Sequence, residues 1–168
     1  AADAGALKGC DLIIEAVFEK RDLKAQVTRE AEPMLAPGGV FASNTSTLPI
    51  TDIASAAKHP ERVVGMHFFN PVHKMPLVEV IVTEETPADV LETVTSLLRD
   101  IGKQPVVVKR DVPGFVWNRI QLAVLREALW LVRNGVASPE TVDTVMRDGL
   151  ARRWRALCLS RRRFASSR

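Results

Sequence analysis

The chain has 168 residues, of which 46% are hydrophobic and 26% are charged, as expected of a globular protein with its own core. No apolar run approaches the ~20 residues that a membrane-spanning helix needs, so no membrane partner is expected. The formal net charge is +3, but residues 151–168 hold seven arginines and no acid, which leaves 16 basic and 20 acidic residues in 1–150. The basic charge therefore belongs to the tail, and the body offers no nucleic-acid surface.

Strands and helices alternate through the first two thirds of the sequence. Residues 11–18 are mostly apolar, which predicts a strand buried on both faces, as in a parallel sheet. The next predicted helix, 21–35, places Leu23, Val27 and Ala31 on its buried face. Further strands are expected at 40–43, 62–67, 77–82 and 104–108, with helices at 49–57 and 86–102. Thr86 is the predicted N-cap of the last helix. The alternation predicts an α/β sheet covered by helices.

The pattern changes near residue 110, where strand signals stop. A long helix is predicted from about residue 115 to 134, and a second from Ser138 to near Gly149. The sequence thus predicts an α/β domain in residues 1–110 and the start of a helical domain in 111–150. The Arg-rich residues 151–168 fit neither domain, so they are expected to be disordered or to come from a shifted reading frame.

The stretch from Gly65 to Val80 contains the residues best suited to chemistry. His67 ends one apolar run, and Glu79 lies inside a second one. Burying an acid in such a run is costly unless the acid is paired, and the nearest partners in sequence are His67 and His73. A His–Glu pair is suited to proton transfer at neutral pH.

Three motifs resemble those of the NAD-dependent L-3-hydroxyacyl-CoA dehydrogenases. They are Ser43-Asn-Thr-Ser46, then His67-Phe-Phe-Asn-Pro71 with Leu77-Val-Glu-Val80, and Pro113-Gly-Phe-Val-Trp-Asn-Arg119. Their order and spacing agree with this family over about residues 8–150. The resemblance implies an α/β fold in which a partial Rossmann-type dinucleotide-binding domain precedes an all-α C-terminal domain, with NAD as the cofactor.

The resemblance also implies roles for single residues. His67 matches the general base that takes the proton of the substrate 3-hydroxyl, and Glu79 matches the acid that orients the imidazole. Substrate contacts are implied for Ser46 and Asn118, and cofactor contacts for Glu19, Lys24, Ser46 and Asn70. The implied reaction oxidises (S)-3-hydroxyacyl-CoA to 3-oxoacyl-CoA in fatty-acid β-oxidation, and the implied assembly is a homodimer.

Other interpretations stay open at this point. The substrate could be a free 3-hydroxy acid, as in L-gulonate dehydrogenase, or the chain could be an inactive truncated or structural relative of the lambda-crystallin kind. Ser46 could simply belong to a polar turn, while Glu19 and Lys24 could be ordinary solvated residues at the start of a helix. A third function, nucleic-acid binding through the tail, is disfavoured by the charge of the body.

The beginning of the sequence departs from the family pattern. The sequence lacks an initial Met and a Gly-x-Gly-x-x-Gly turn, since Gly5 and Gly9 do not make that fingerprint. We therefore expect a partial chain that is missing the first strands and the pyrophosphate site. Only two cysteines are present, Cys10 and Cys158, far apart and without metal-ligand spacing, which indicates reduced thiols in a cytoplasmic protein.

Overall fold

The computed structural model describes residues 3–156. The chain divides into two compact units, residues 1–119 and residues 120–168. The described part of the first unit holds the strands and helices β1 (Cys10–Glu15), α1 (Arg21–Ala31), β2 (Leu35–Ser43), α2 (Ile50–Ala54), β3 (Val63–Phe68), β4 (Leu77–Ile81), α3 (Ala88–Asp100) and β5 (Gln104–Val108), with 3-10 turns at Ala4–Leu7, Glu32–Met34 and Pro60–Arg62. Helix α4 (Trp117–Arg133) begins in this unit.

The five strands form one mixed sheet in the order β1-β2-β3-β4-β5. Strands β1, β2 and β3 run parallel, β4 is antiparallel to β3, and β5 is parallel to β4. The carboxyl ends of β1, β2 and β3 therefore lie at one edge of the sheet, the edge at which open α/β sheets bind ligands. The predicted α/β fold is confirmed.

The sheet separates two apolar layers because successive side chains of a strand point to opposite faces. One layer packs α2 against residues that include Phe41, Val63 and Ile81. The other packs α3 against residues that include Val64 and Val80. The central strands β2, β3 and β4 are thereby largely buried on both faces, whereas β1 and β5 are partly exposed. The prediction that the first strand is buried on both faces is wrong, since Ile14 is 43% exposed.

Two local predictions in this unit are wrong. The Thr86 hydroxyl accepts a hydrogen bond from the Thr83 amide at 2.9 Å, so it closes its own turn, and α3 begins without a side-chain cap. The buried face of α1 carries Lys24, Thr28 and Ala31, whereas the predicted Leu23 and Val27 are only partly buried. Lys24 can replace an apolar residue there because it pairs with the buried Glu15.

The second unit contains the rest of α4, then α5 (Pro139–Thr144), a π-helical segment (Val145–Leu150) and α6 (Ala151–Ala156). A helix starts at Ser138 as predicted, and the Ser138 hydroxyl caps α5 by accepting a hydrogen bond from the Thr141 amide at 3.2 Å. The helix does not end near Gly149 as predicted, and residues 151–156 are helical instead of disordered. Good helix formers continue the helix there, and Arg152 pairs with Asp148 at 3.2 Å. Residues 157–168 lie outside the described residues.

The helices of residues 3–156 include none that is both long and apolar enough to cross a membrane.

Substituting Gly65 with Ala is expected to destabilise the fold. A Cβ at this position in β3 would lie 2.8 Å from Cδ1 of Ile81 and 2.9 Å from two side-chain carbons of Ile50, so the core would be overpacked. We expect the free energy of unfolding, measured with urea, to fall by about 1–3 kcal/mol. Gly149→Ala is the control, because a Cβ there meets no atom within 4 Å. Equal stability of the two variants would contradict the expectation.

Candidate active site

His67 and Glu79 form a buried pair on one face of the sheet. They lie opposite each other in the antiparallel register of β3 and β4, which brings their side chains together. Nδ1 of His67 is 2.8 Å from Oε2 of Glu79, and the two residues are 3% and 1% exposed. Of the two histidines considered from the sequence, His67 is therefore the partner of Glu79, while His73 lies exposed in the loop between these strands.

The second oxygen of Glu79 is held by backbone groups. Oε1 accepts hydrogen bonds from the amides of Val116 at 3.0 Å and Trp117 at 2.8 Å, at the N-terminus of α4. Burial opposes the charge of Glu79, but the hydrogen bond with His67 and the two amides outweigh it, so the pKa of Glu79 lies below its ordinary value. A charged carboxylate only accepts, so Nδ1 of His67 donates and Nε2 is left for other chemistry.

Aromatic rings fix the imidazole of His67 in place. The ring of Phe69 lies 4.5 Å from it, centroid to centroid, and that of Phe115 lies 5.6 Å from it. Phe69 is in turn packed on Trp117 at 4.4 Å. Because these rings exclude water from the imidazole, they strengthen its interaction with Glu79.

The polar turn at residues 44–47 is tied to the strand that carries His67. Oδ1 of Asn44 accepts a hydrogen bond from the Phe68 amide at 2.9 Å. Nδ2 of Asn118 donates to the carbonyl oxygen of Ser46 at 2.8 Å. The Ser46 side chain is exposed, and its hydroxyl has no hydrogen-bond partner within residues 3–156. The structure thus brings Ser46 and Asn118 together, while their predicted substrate contacts stay a prediction.

Glu19 organises the same turn from the other side. Its Oε1 accepts from the hydroxyls of Thr45 and Thr47, at 2.6 and 2.9 Å, and from the amides of Ser46 and Thr47, at 2.9 and 2.8 Å. Burial opposes its charge, but these hydrogen bonds prevail and lower the pKa of Glu19 to about 2. Glu19 is therefore a charged residue that orders the turn, not a freely solvated one.

Lys24 is completely buried and paired. Its Nζ lies 2.9 and 3.0 Å from the two carboxylate oxygens of Glu15, 3.3 Å from the Val17 carbonyl and 3.5 Å from Glu19. The Ser43 hydroxyl also donates to Glu15. The interpretation of Lys24 as a solvated residue is wrong, and its predicted cofactor contact stays a prediction.

Three features at this edge of the sheet were not predicted from the sequence. Glu15 was predicted only as part of a mostly apolar strand, although an acid in such a run indicates a buried partner. The exposed ring of Phe18 (82% exposed) and the two backbone amides that bind Glu79 were not singled out either. Glu15 inside an apolar run, with Glu19 four positions later, could have indicated this cluster. The backbone amides that bind Glu79 could not, because every residue except proline has one.

Substituting Glu19 with Gln is expected to remove acid-sensitive stability. The folded-state pKa of about 2 lies below the ordinary 4.5, so the contribution is full above pH 4.5 and is lost as the pH falls toward 2. Because the side chain is 36% exposed, solvent screening limits the loss to about 1 kcal/mol at pH 7. Urea unfolding at pH 7 and pH 3 should show the gap between wild type and variant shrinking, with exposed Glu84→Gln as the control. A gap that stays constant would refute this.

The arrangement defines a class of protein. An open α/β sheet presents polar residues at the carboxyl ends of parallel strands, beside a buried histidine whose free nitrogen can take a proton. Within residues 3–156, no cluster of three or more His, Cys, Asp or Glu side chains could hold a metal ion. The sheet edge and the polar residues that it carries are those of a dinucleotide-binding α/β protein.

Comparison with known proteins identifies the family. Residues 1–112 match the NAD-binding domain of 3-hydroxyacyl-CoA dehydrogenase, and residues 114–162 match the C-terminal domain of the same family. The chain therefore belongs to the 3-hydroxyacyl-CoA dehydrogenase family of NAD-dependent oxidoreductases.

Relatives with different substrates are similar to this chain. A 5-formyl-3-hydroxy-2-methylpyridine 4-carboxylate 5-dehydrogenase of Mesorhizobium japonicum is 46% identical over 86% of the chain and 47% of its own length. The fatty acid oxidation complex subunit alpha of Shewanella amazonensis is 48% identical over 78% of the chain and 18% of its own length. The structure of (S)-3-hydroxybutyryl-CoA dehydrogenase from Ralstonia eutropha has a TM-score of 0.83 and 38% identity, over 89% of the chain and 52% of that structure. The chain thus spans about half or less of the length of these relatives.

The residues present fit one end of NAD. Glu19, Ser46 and Asn70 lie in the segments that follow β1, β2 and β3, at the edge where dinucleotides bind. The Ser46 hydroxyl and the Asn70 amide have no hydrogen-bond partner in the described part of the chain, and Phe18 offers an exposed ring. Open polar groups suit a sugar hydroxyl, and an exposed aromatic ring suits a flat heterocycle. The sequence has no Gly-x-Gly-x-x-Gly turn, so these residues do not supply the pyrophosphate site.

Proposed function

We propose that this chain forms the proton-handling part of an enzyme that oxidises (S)-3-hydroxyacyl-CoA to 3-oxoacyl-CoA with NAD, as in fatty-acid β-oxidation. The observation that carries the proposal is the 2.8 Å contact between Nδ1 of His67 and Oε2 of Glu79, buried beside the edge where dinucleotides bind. Oxidising an alcohol requires a base at the hydroxyl and a hydride acceptor at the adjoining carbon. When bound, NAD supplies the hydride acceptor.

In this proposal His67 is the general base. Its Nε2 accepts the proton of the substrate 3-hydroxyl, and the imidazolium that forms is stabilised by the charged carboxylate of Glu79. The Val116 and Trp117 amides keep that carboxylate charged and in one orientation. Glu79 thus acts by fixing the tautomer of His67 and its direction.

Ser46 and Asn118 are proposed to bind the substrate, and Ser46 also the cofactor. The Asn118 amide group has two N–H bonds: one donates to the Ser46 carbonyl, and the other can donate to a substrate oxygen. The Ser46 hydroxyl lies exposed on the same turn. A donor placed at the substrate oxygen stabilises the charge that develops there.

Cofactor contacts are proposed for Glu19, Lys24, Ser46 and Asn70. For Glu19 and Lys24 the support is positional, since both lie after β1 at the ligand-binding edge. Their hydrogen bonds and ion pairs indicate that they act mainly by ordering the segments that carry Ser46. A cytoplasmic location is proposed from the unpaired Cys10, and a homodimer from membership of the family.

A second candidate substrate is a ring-bound or free hydroxy acid without CoA. The 46% identity to the pyridine-carboxylate dehydrogenase of Mesorhizobium japonicum favours it. A 3-hydroxyl gives its O–H proton to the base directly, whereas a formyl group can do so only as its hydrate, formed by adding water. In either case His67 can take the O–H proton while hydride leaves the same carbon for NAD, so the His67–Glu79 pair serves both reactions. The choice depends on residues that bind the rest of the substrate.

A chimera tests the choice of substrate. The matched segment of the Ralstonia eutropha enzyme is replaced by the corresponding residues of this chain, and NADH formation is followed with (S)-3-hydroxybutyryl-CoA, free 3-hydroxybutyrate, L-gulonate and the pyridine-carboxylate substrate. We expect kcat/KM to be greatest for the CoA thioester. A preference for any substrate without CoA would overturn the assignment of an acyl-CoA substrate.

A further inference from the structure

Asp111 joins the segment that follows β5 to helix α2. Its Oδ2 accepts hydrogen bonds from the amide of Thr51 at 2.7 Å and from the Thr51 hydroxyl at 2.8 Å, across 60 residues of sequence. Thr51 lies at the start of α2, where backbone amides lack partners within the helix. The other oxygen, Oδ1, is shielded from solvent and accepts no hydrogen bond within residues 3–156. The carboxylate is thus held by a single residue of a distant element.

The segment after Asp111 makes a sharp turn toward Glu79. The Phe115 amide donates to the Val112 carbonyl at 3.0 Å, and Gly114 and Phe115 both have left-handed backbones, with φ of 75° and 51°. A left-handed conformation costs a non-glycine residue about 1 kcal/mol or more, so it persists only where surrounding contacts hold it. The turn aims the next two backbone amides at Oε1 of Glu79.

Two anchors hold this turn in place. One is the side chain of Phe115, which is 1% exposed and packs in the apolar layer that contains Ile50 and Ile53 of α2. The other is Asp111, which fixes the start of the segment to the same helix. Since both anchors reach α2, that helix is the common support of the amides that bind Glu79.

We propose that Asp111 is a positioning residue for the His67–Glu79 pair: by binding Thr51, it holds the segment whose Val116 and Trp117 amides orient the Glu79 carboxylate. Asp111 does not touch the pair itself. The meaning of this role for catalysis rests on the proposed function, whereas the structural link between Thr51, Asp111 and Glu79 does not.

Amide hydrogen exchange in the 168-residue chain, measured by NMR without any substrate, tests the link. In Asp111→Ala we expect the Val116 and Trp117 amides to exchange about tenfold faster or more, because the segment opens without its anchor. The amides of Val64 and Val80, in the centre of the sheet, should keep their wild-type rates. Unchanged exchange at Trp117, or an equal increase at all four amides, would overturn the proposal.

Two further variants keep the test decisive if Asp111→Ala does not fold. Asp111→Asn retains an acceptor for the Thr51 amide, so it should restore most of the protection at Trp117. Thr51→Val removes one of the two hydrogen bonds and leaves Asp111 in place, so it should give a smaller increase than Asp111→Ala. Wild-type exchange in Thr51→Val together with full loss of protection in Asp111→Asn would contradict the proposed contact.

The titration of Glu79 separates positioning from simple structural support. In Asp111→Ala the ¹³C resonance of the Glu79 carboxyl should titrate at higher pH than in wild type, because its backbone donors are less well held. An unchanged titration would refute the positioning role even if the variant were less stable. Neither readout involves turnover, so a failure of the proposed reaction in the chimera would leave this result standing.

Discussion

Replacing His67 with Gln should lower kcat of the chimera by about 10²–10⁴-fold, the usual contribution of a general base. Gln keeps a polar group of similar length but cannot take the substrate proton at Nε2. The measurement is NADH formation from (S)-3-hydroxybutyryl-CoA at saturating substrate. Because His67 is proposed to act on the proton and not to hold NAD, the affinity for NADH, followed by fluorescence, should stay close to that of the unsubstituted chimera.

His73→Gln is the matched control for this experiment. His73 lies exposed in the β3–β4 loop, six positions from His67, and forms no hydrogen bond or ion pair with Glu79. Its substitution should leave kcat unchanged. If His67→Gln retained full turnover, or if both histidine variants lost activity equally, His67 would not be the base.

Replacing Lys24 with Met should produce the largest loss of stability in the first unit. Lys24 is fully buried, and removing its charge leaves Glu15, 4% exposed, without its cationic partner. Breaking a buried ion pair on one side costs about 3–5 kcal/mol. Met has a similar length and fills the space, so urea unfolding of the 168-residue chain reports the loss of the pair and not a cavity.

The double variant Lys24→Met with Glu15→Gln tests the cause of this loss. Removing both charges should recover much of the stability, because no unpaired charge then stays buried. Lys20→Met, four residues earlier at an exposed position, should change the free energy of unfolding by less than about 0.5 kcal/mol. A double variant no more stable than Lys24→Met would show that packing, not charge, accounts for the effect.

The sheet and the His–Glu pair could be predicted because their signals are local or nearly so. Apolar runs of strand length alternate with helical patterns, and an acid inside one such run demands a partner. His67 and Glu79 are 12 positions apart in sequence, which is enough for an antiparallel connection that places the two opposite each other. Burial of the pair could be predicted because both residues lie in apolar runs, where an unpaired charge is costly.

Other features depend on contacts that periodicity does not encode. Lys24 takes a buried position of α1 only because Glu15 reaches it from another element. The Thr86 hydroxyl could accept from an amide of the turn or from one of the helix, and it accepts from the Thr83 amide in the turn. The helical backbone continues through Gly149 into α6 because the residues that follow favour helix, although the glycine predicted a helix end.

The backbone contribution to the site could not be predicted either. The Val116 and Trp117 amides bind Glu79 only because Phe115 adopts a left-handed conformation and Asp111 is fixed to α2. Left-handed backbones are uncommon for phenylalanine, so sequence preference argues against this turn. Long-range hydrogen bonds to main-chain groups are set by the complete fold.

Glu79 is expected to fix His67 with Nε2 ready to accept a proton, and ¹⁵N NMR of the imidazole tests this most directly. In the neutral form of His67, we expect a proton on Nδ1, bonded to Glu79, and none on Nε2. Glu79→Gln, whose amide can donate to Nδ1, should shift the proton toward Nε2. A neutral His67 that carries its proton on Nε2 in the wild-type chain would contradict the account.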